Sequence, residues 1–176
     1  MSELLNVEIK AYLHEAESVR HKLKEKNALF KGVDHQIDTY FESKQGRLKL
    51  REGNIESALI YYERQNQAGP KTSDILLYKS VDTAALKPIL HKVLEPLVVV
   101  DKKREIYFVN NVKFHIDEVD GLGQFVEIEA IDATGEIGKE KLLAQCQYYM
   151  ELFHIQEQDL LEVSYSDLML AKMKAL

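Results

Sequence analysis

The chain has 176 residues, of which 45% are hydrophobic and 30% are charged, and its formal net charge is −6. This length and composition fit one globular domain over residues 1–176. The longest apolar cluster, PLVVV at 96–100, is too short to cross a membrane, and the N-terminus lacks the basic start and apolar stretch of a signal peptide. The single cysteine, Cys146, cannot form an internal disulfide. We therefore expect a cytoplasmic protein without a membrane partner.

Positive charge is concentrated in the middle of the chain. Between Lys44 and Lys113 there are 13 Lys and Arg residues against 8 Asp and Glu residues, a local balance of +5 that leaves −11 for the two ends. The acidic total argues against general nucleic-acid binding. A basic middle within an acidic protein instead predicts a local site for an anion.

Segments typical of β-strands dominate the chain and are separated by short turn signals. They cover 6–13, 35–42, 46–52, 57–65, 73–81, 96–109, 112–119 and 123–131. Helical spacing of apolar residues covers 15–30, 82–94 and 138–153, and a short last helix is predicted to begin at Ser164 with a capping box to Asp167. This pattern predicts an α+β fold, a closed eight-stranded antiparallel β-barrel with helices packed on the outside.

The segment RLKLRE alternates strictly between charge and leucine. In an extended strand Arg47, Lys49 and Arg51 lie on one face, and Leu48 and Leu50 lie on the other. Taken alone, this pattern is typical of a surface strand with its charges in water. At least six strands of the chain, however, carry one ionisable and one largely apolar face. A closed sheet with external helices turns its apolar face outward, so we expect the charged face to line the interior.

On this interpretation the interior holds two groups of charged side chains. The cations are Arg47, Lys49, Arg51, Arg64, Lys102, Arg104 and Lys113, and the anions are Glu8, Asp117, Glu127 and Glu129, with Lys10 near Glu8. Like charges about 6 Å apart repel by roughly 3 kcal/mol at an effective dielectric near 20, so the cations predict a polyanionic ligand. Carboxylates from the first and last strands beside a phosphate-binding cluster predict Mg²⁺ or Mn²⁺, completed by phosphate oxygens.

The motif NVEIKA resembles the E-x-E-x-K signature of the CYTH, or triphosphate tunnel, superfamily. The resemblance continues through QIDTYF, GRLKLRE, LIYYERQNQAGPKTSD, KKREIYFVNNVKFHIDEVDGLGQFVEIEA and SYSDLML, and is strongest to bacterial proteins similar to class IV adenylate cyclases. It implies a tunnel in which basic residues bind a triphosphate. By position, the metal ligands would be Glu8, Glu127 and Glu129, the phosphate-binding residues Lys10, Arg47, Lys49, Arg51, Arg64, Lys102 and Arg104, and the inward acid Asp117. Asn6 replaces the first glutamate of the signature, so a second metal would bind weakly.

The resemblance implies an enzyme that depends on Mg²⁺ or Mn²⁺ and acts on a triphosphate such as ATP, most like a class IV adenylate cyclase. Catalytic roles would fall to Glu8, Lys10 and Asp117, and Lys113 and Lys71 would add substrate contacts, with Ser73 and Tyr165 as further residues of the mouth. The alternatives are a hydrolase of tripolyphosphate, thiamine triphosphate or nucleoside triphosphates, and a binding module without catalysis. A relay role for His115 is less favoured than a structural one. A homodimer formed through the outer face of the barrel stays open.

Overall fold

The computed structural model describes residues 5–63, 67–72, 74–79 and 82–176. The strands are β1 (Leu5–Tyr12), β2 (Leu29–Phe41), β3 (Arg47–Gly53), β4 (Ala58–Glu63), β5 (Lys71–Thr72), β6 (Asp74–Lys79), β7 (Pro96–Val109), β8 (Val112–Val119) and β9 (Gly123–Asp132). The helices are α1 (Ala16–Glu25), α2 (Thr83–Val93), α3 (Lys139–Leu152) and α4 (Tyr165–Lys174), and a 3₁₀ turn covers Glu157–Asp159. No helix in these ranges is long and apolar enough to cross a membrane.

All strands belong to one antiparallel sheet in the order β5-β1-β9-β8-β7-β2-β3-β4-β6. The sheet curls through 227°, and no ladder within the described ranges joins β6 to β1, so the expected closed barrel was wrong. The two strands β5 and β6 pair with opposite edges of the sheet. β5 pairs with β1 at only two positions, and β6 pairs with β4. Alternation along a strand shows which face is apolar, but it carries no information on whether two edge strands pair.

The convex face of the sheet carries the main hydrophobic core. Val7 and Ile9 of β1 are fully buried there beneath α1 and α3, where Leu23 and Leu142 are buried in the same cluster. Leu50 of β3 is buried in a second cluster against α2. The leucine face of RLKLRE therefore packs against a helix on the outside of the curl, as the alternation predicts.

The last helix departs from the expected arrangement. α4 begins after Ser164, whose side chain and that of Asp167 form the predicted capping box. It packs against β7 rather than on the convex face, and Tyr165 is buried with Tyr40, Tyr62 and other apolar residues at one end of the concave face. The prediction that all helices lie outside was therefore wrong for α4. This helix covers the apolar end of the concave face, and the charged side chains lie at the other end.

The helix predicted over 15–30 is shorter than its apolar pattern. It ends at Glu25 because Asn27 adopts a left-handed φ of 53°, and the amides of Asn27 and Ala28 bond back to carbonyls of the last turn. The strand β2 begins four residues after the helix ends, at Leu29, and reaches the concave face with Asp34, Gln36 and Asp38.

Candidate functional site

The concave face of the sheet encloses a cavity of about 890 Å³. Charged side chains from β1, β3, β7, β8 and β9 line it, and nine of them were expected in the site from the sequence. They are Glu8, Lys10, Lys49, Arg51, Lys102, Arg104, Lys113, Glu127 and Glu129. The structure therefore brings together, on the inside of the curled sheet, residues that are up to 121 positions apart in the chain.

Three of the predicted site residues that the structure describes lie elsewhere. Arg47 lines a second cavity of about 680 Å³ beyond Tyr40, where its guanidinium lies 2.7 Å from the carboxylate of Asp167. The Lys71 ammonium donates to the carbonyls of Leu161 and Glu162 and does not line the main cavity. Asp117 is fully buried beneath Arg104. Arg64 lies outside the described residues, as does Ser73.

One buried carboxylate that was not expected in the site organises the basic side of the cavity. Asp38 on β2 accepts hydrogen bonds at Oδ2 from Lys49 at 2.8 Å, Arg51 at 2.8 Å and Lys102 at 2.7 Å. We call these four residues the Asp38 cluster. Its three basic side chains share one carboxylate, so basic groups outnumber acidic groups in the cluster. The sequence places Asp38 in phase with Gln36 and Tyr40, and that spacing is the signal that could have identified it.

The charges of the Asp38 cluster act on each other's pKa values. Burial acts to raise the pKa of Asp38, but Arg51, Lys102 and Lys49 together hold it well below its usual range. Burial lowers the pKa of Lys102 well below its usual range, and the neighbouring guanidiniums lower it further while Asp38 opposes them. An additional anion in the cavity would relieve this repulsion among the cations.

The opposite side of the cavity is richer in acids. Arg104 donates from Nε and Nη2 to Asp117 at 2.7 and 2.6 Å, and from Nη2 to Glu127 at 3.0 Å. Glu127 also lies 2.9 Å from both the Lys10 ammonium and Nδ1 of His115. Although burial acts to raise the pKa of Glu127, Arg104 and Lys10 hold it well below its usual range. Glu127 is therefore ionised at neutral pH.

Tyr165 connects α4 to this acidic side. Its hydroxyl donates to Asp117 at 2.7 Å, and the Lys10 ammonium lies 3.7 Å from the centre of its ring. Burial, with the nearby carboxylates, raises the pKa of Tyr165 well above its usual range, so the phenol stays protonated. The tyrosine expected at the mouth of the site thus forms part of the inner wall.

The expectation of an array of cations that only a ligand could neutralise was wrong in part. Asp38 and Glu56, which were not among the expected site residues, supply negative charge to the basic side. Glu56 lies on the turn between β3 and β4, where its carboxylate is 2.5 Å from Lys113. Strand periodicity does not extend into a turn, so alternation could not identify it.

The expected metal ligands lie close in register on two paired strands. Glu8 on β1 is directly opposite Glu129 on β9, and Glu127 is two residues from Glu129 on the same face. Asn6 is fully buried and donates to Glu129 at 2.7 Å, and its Oδ1 has no hydrogen-bond partner among the residues that the structure describes. This set of oxygens fits Mg²⁺ or Mn²⁺, which prefer oxygen ligands. Among the described residues no preformed cluster of three or more His, Cys, Asp or Glu side chains is arranged to hold a metal, and Glu127 instead contacts Lys10 and Arg104.

Comparison with known proteins identifies the family. The sequence model of the CYTH domain family matches residues 4–165 of the chain. The chain belongs to the CYTH family. A relative from Methanocaldococcus jannaschii, provisionally named an adenylate cyclase, is 25% identical over 174 residues that cover 94% of this chain and 98% of its own. This membership implies an activity that depends on a divalent cation.

Two solved structures of CYTH-like fold are also similar to the chain. The protein PH1012 from Pyrococcus horikoshii is 26% identical and covers 93% of this chain and 98% of its own, with a TM-score of 0.77. An RNA triphosphatase from Schizosaccharomyces pombe is 11% identical and covers 93% of this chain and 87% of its own, with a TM-score of 0.54. The second likeness concerns the fold alone.

Proposed function

We propose that this CYTH protein is a metal-dependent enzyme that binds a triphosphate in the main cavity and acts as an adenylate cyclase, forming cyclic AMP and pyrophosphate from ATP. The Asp38 cluster is the observation that carries the proposal, because it gathers three basic side chains around one carboxylate on the wall of a cavity large enough for a nucleotide. The provisional name of the Methanocaldococcus jannaschii relative supports the cyclase.

The side chains of the cavity would divide the work between its two sides. Lys49, Arg51 and Lys102 would bind phosphate oxygens, since an ammonium or guanidinium that shares one carboxylate with two other cations still has donors to offer. Charges held in place before the substrate binds stabilise the negative charge that develops on the phosphates during transfer.

The acidic side would hold the metal. Glu8, Glu127 and Glu129 would bind it, with Oδ1 of Asn6 as a neutral oxygen nearby. When bound, a divalent cation polarises a P–O bond and offsets phosphate charge. Lys10 and Arg104 would then exchange contacts with Glu127 for contacts with the substrate, and Asp117 and Tyr165 would keep their side chains oriented towards the cavity.

A triphosphatase is the second candidate function, and it is compatible with the fold, which an RNA triphosphatase shares. The two reactions use the same cations and metal but differ in the nucleophile. In the cyclase the ribose hydroxyl attacks the α-phosphorus and pyrophosphate leaves, whereas in the hydrolase water attacks the terminal phosphorus.

A panel of substrates tests the proposal. ATP, thiamine triphosphate and tripolyphosphate are each incubated with the protein, with Mg²⁺, with Mn²⁺ and with excess EDTA, and cyclic nucleotide and released phosphate are measured separately. We expect cyclic AMP and pyrophosphate from ATP with either metal and none in EDTA. Release of orthophosphate instead would establish the triphosphatase. Full turnover in EDTA, or no turnover of any substrate, would contradict a metal-dependent enzyme.

A further inference from the structure

We propose that Glu56 sets the affinity of the cavity for polyphosphate. Its carboxylate pairs with Lys113 and Arg51, so it must move away when a phosphate group binds these two cations. The inference rests on the proposed function of the cavity. Oε1 of Glu56 lies 2.5 Å from the Lys113 ammonium, and Oε2 lies 3.7 Å from the Arg51 guanidinium. Both cations line the cavity, so Glu56 holds the position that a phosphate group would take between them.

The carboxylate reaches over the cavity from one side of the sheet to the other. Glu56 belongs to the turn between β3 and β4, and Lys113 belongs to β8, with β2 and β7 between them in the order of the strands. Three other residues of the turn, Asn54, Ile55 and Ser57, also line the cavity. The ion pair of Glu56 with Lys113 therefore lies over the concave face rather than along one strand.

The backbone of the turn is fixed independently of this ion pair. The fully buried carboxylate of Asp34 accepts hydrogen bonds from the amides of Ile55 and Glu56 at 2.8 and 2.9 Å. A Cβ on Gly53 would lie only 2.4 Å from the carbonyl oxygen of Glu56, so the turn also requires a glycine there. Displacement of Glu56 by a ligand would thus move a side chain and leave the turn in place.

Exposure distinguishes Glu56 from the carboxylate of the Asp38 cluster. The side chain of Glu56 is 31% exposed, whereas that of Asp38 is 1% exposed. Although burial acts to raise the pKa of Glu56, Lys113 lowers it to about 2, so the group is charged at neutral pH. A charged group at the edge of the cavity can turn into water at small cost, whereas a buried one cannot. Glu56 is therefore the removable counter-ion and Asp38 the permanent one.

Substitution of Glu56 should consequently tighten ligand binding. When the binding site is open in only a fraction of the molecules, the apparent affinity for the ligand falls in proportion to that fraction. We expect Glu56→Gln to lower the dissociation constant for tripolyphosphate about five- to tenfold, as isothermal titration calorimetry in EDTA would measure at neutral pH. The expected size corresponds to one partly exposed ion pair of about 1 kcal/mol.

Glu52→Gln is the matched control. Glu52 lies on the same hairpin and accepts from Lys87 of α2 at 2.6 Å, but it does not line the cavity. Its substitution should leave tripolyphosphate affinity unchanged. In a Lys113→Met background the gain from Glu56→Gln should shrink to twofold or less, because Lys113, the closer of the two cations that pair with Glu56, is gone. Circular dichroism should be used to check that each variant is folded.

The outcomes separate this inference from the proposed function. If the wild-type protein does not bind tripolyphosphate, the proposed function of the cavity fails. If the wild-type protein binds and folded Glu56→Gln binds equally or more weakly, Glu56 does not compete with the ligand and the inference is overturned. An equal gain in Glu52→Gln would also overturn it, since the effect would then reflect net charge alone.

Discussion

Replacement of Asp38 by Asn should lower the free energy of unfolding by about 3–5 kcal/mol, the usual cost of removing one partner from a buried ion pair. Lys49, Arg51 and Lys102 would then lie together without the carboxylate that they share. Denaturation by urea at neutral pH, followed by circular dichroism, measures the change. Asp101→Asn is the control, because Asp101 is half-exposed and its partner is the exposed His35, so a loss of less than about 0.5 kcal/mol is expected.

A ligand should partly rescue the Asp38→Asn variant. The variant loses the carboxylate that three basic side chains share, so a bound polyanion offsets a larger repulsion than in the wild-type protein. Tripolyphosphate should therefore raise the melting temperature of the variant by more degrees than that of the wild-type protein. A loss below 1 kcal/mol, or an equal rise with ligand in both proteins, would show that Asp38 does not hold the cations in place.

Replacement of Glu127 by Gln should abolish turnover while leaving the fold intact. The carboxylate is ionised, lies on the same face of the sheet as Glu129 and Glu8, and contacts Lys10, Arg104 and His115. The amide keeps the shape but loses the charge that a divalent cation requires. We expect a fall in kcat of about a thousandfold, comparable to the loss of a group that stabilises transition-state charge. The turnover assay uses whichever of ATP, thiamine triphosphate and tripolyphosphate the wild-type protein converts.

Two comparisons separate loss of chemistry from loss of binding. Tripolyphosphate affinity in EDTA should be equal or tighter in Glu127→Gln, because a negative charge has left the cavity. Glu105→Gln removes a carboxylate that is paired with Arg20 and does not line the cavity, and it should keep normal turnover. A folded Glu127→Gln protein with more than a tenth of wild-type activity would exclude Glu127 from the metal site.

The sequence predicted the orientation of the strands because alternation is a local property. Lys49 and Leu50 are neighbours with opposite environments, and the charge pattern of each strand repeats that separation. The same pattern predicts Glu8, Glu127 and Glu129 on the concave face, where they line the cavity. Alternation therefore predicts the two faces of each single strand, but not how the strands are arranged relative to one another.

The remaining features depend on contacts between distant parts of the chain. The position of α4 follows from Tyr165 packing against Phe125 and Tyr40, which are far apart in sequence. Arg47 shares the phase of Lys49 but lies beyond Tyr40, in the second cavity. Which edge strands pair, how far along a strand the cavity extends and which carboxylate neutralises which cation are all set by tertiary packing rather than by periodicity.

A crystal structure of the protein with tripolyphosphate, grown in EDTA to prevent turnover, would show where the ligand binds. We expect the phosphate chain in the main cavity, with oxygens within hydrogen-bonding distance of Lys49, Arg51 and Lys102 and with Glu56 turned away from Lys113. Tripolyphosphate bound on the convex or outer surface, with the Asp38 cluster unchanged and the cavity holding only water, would contradict it.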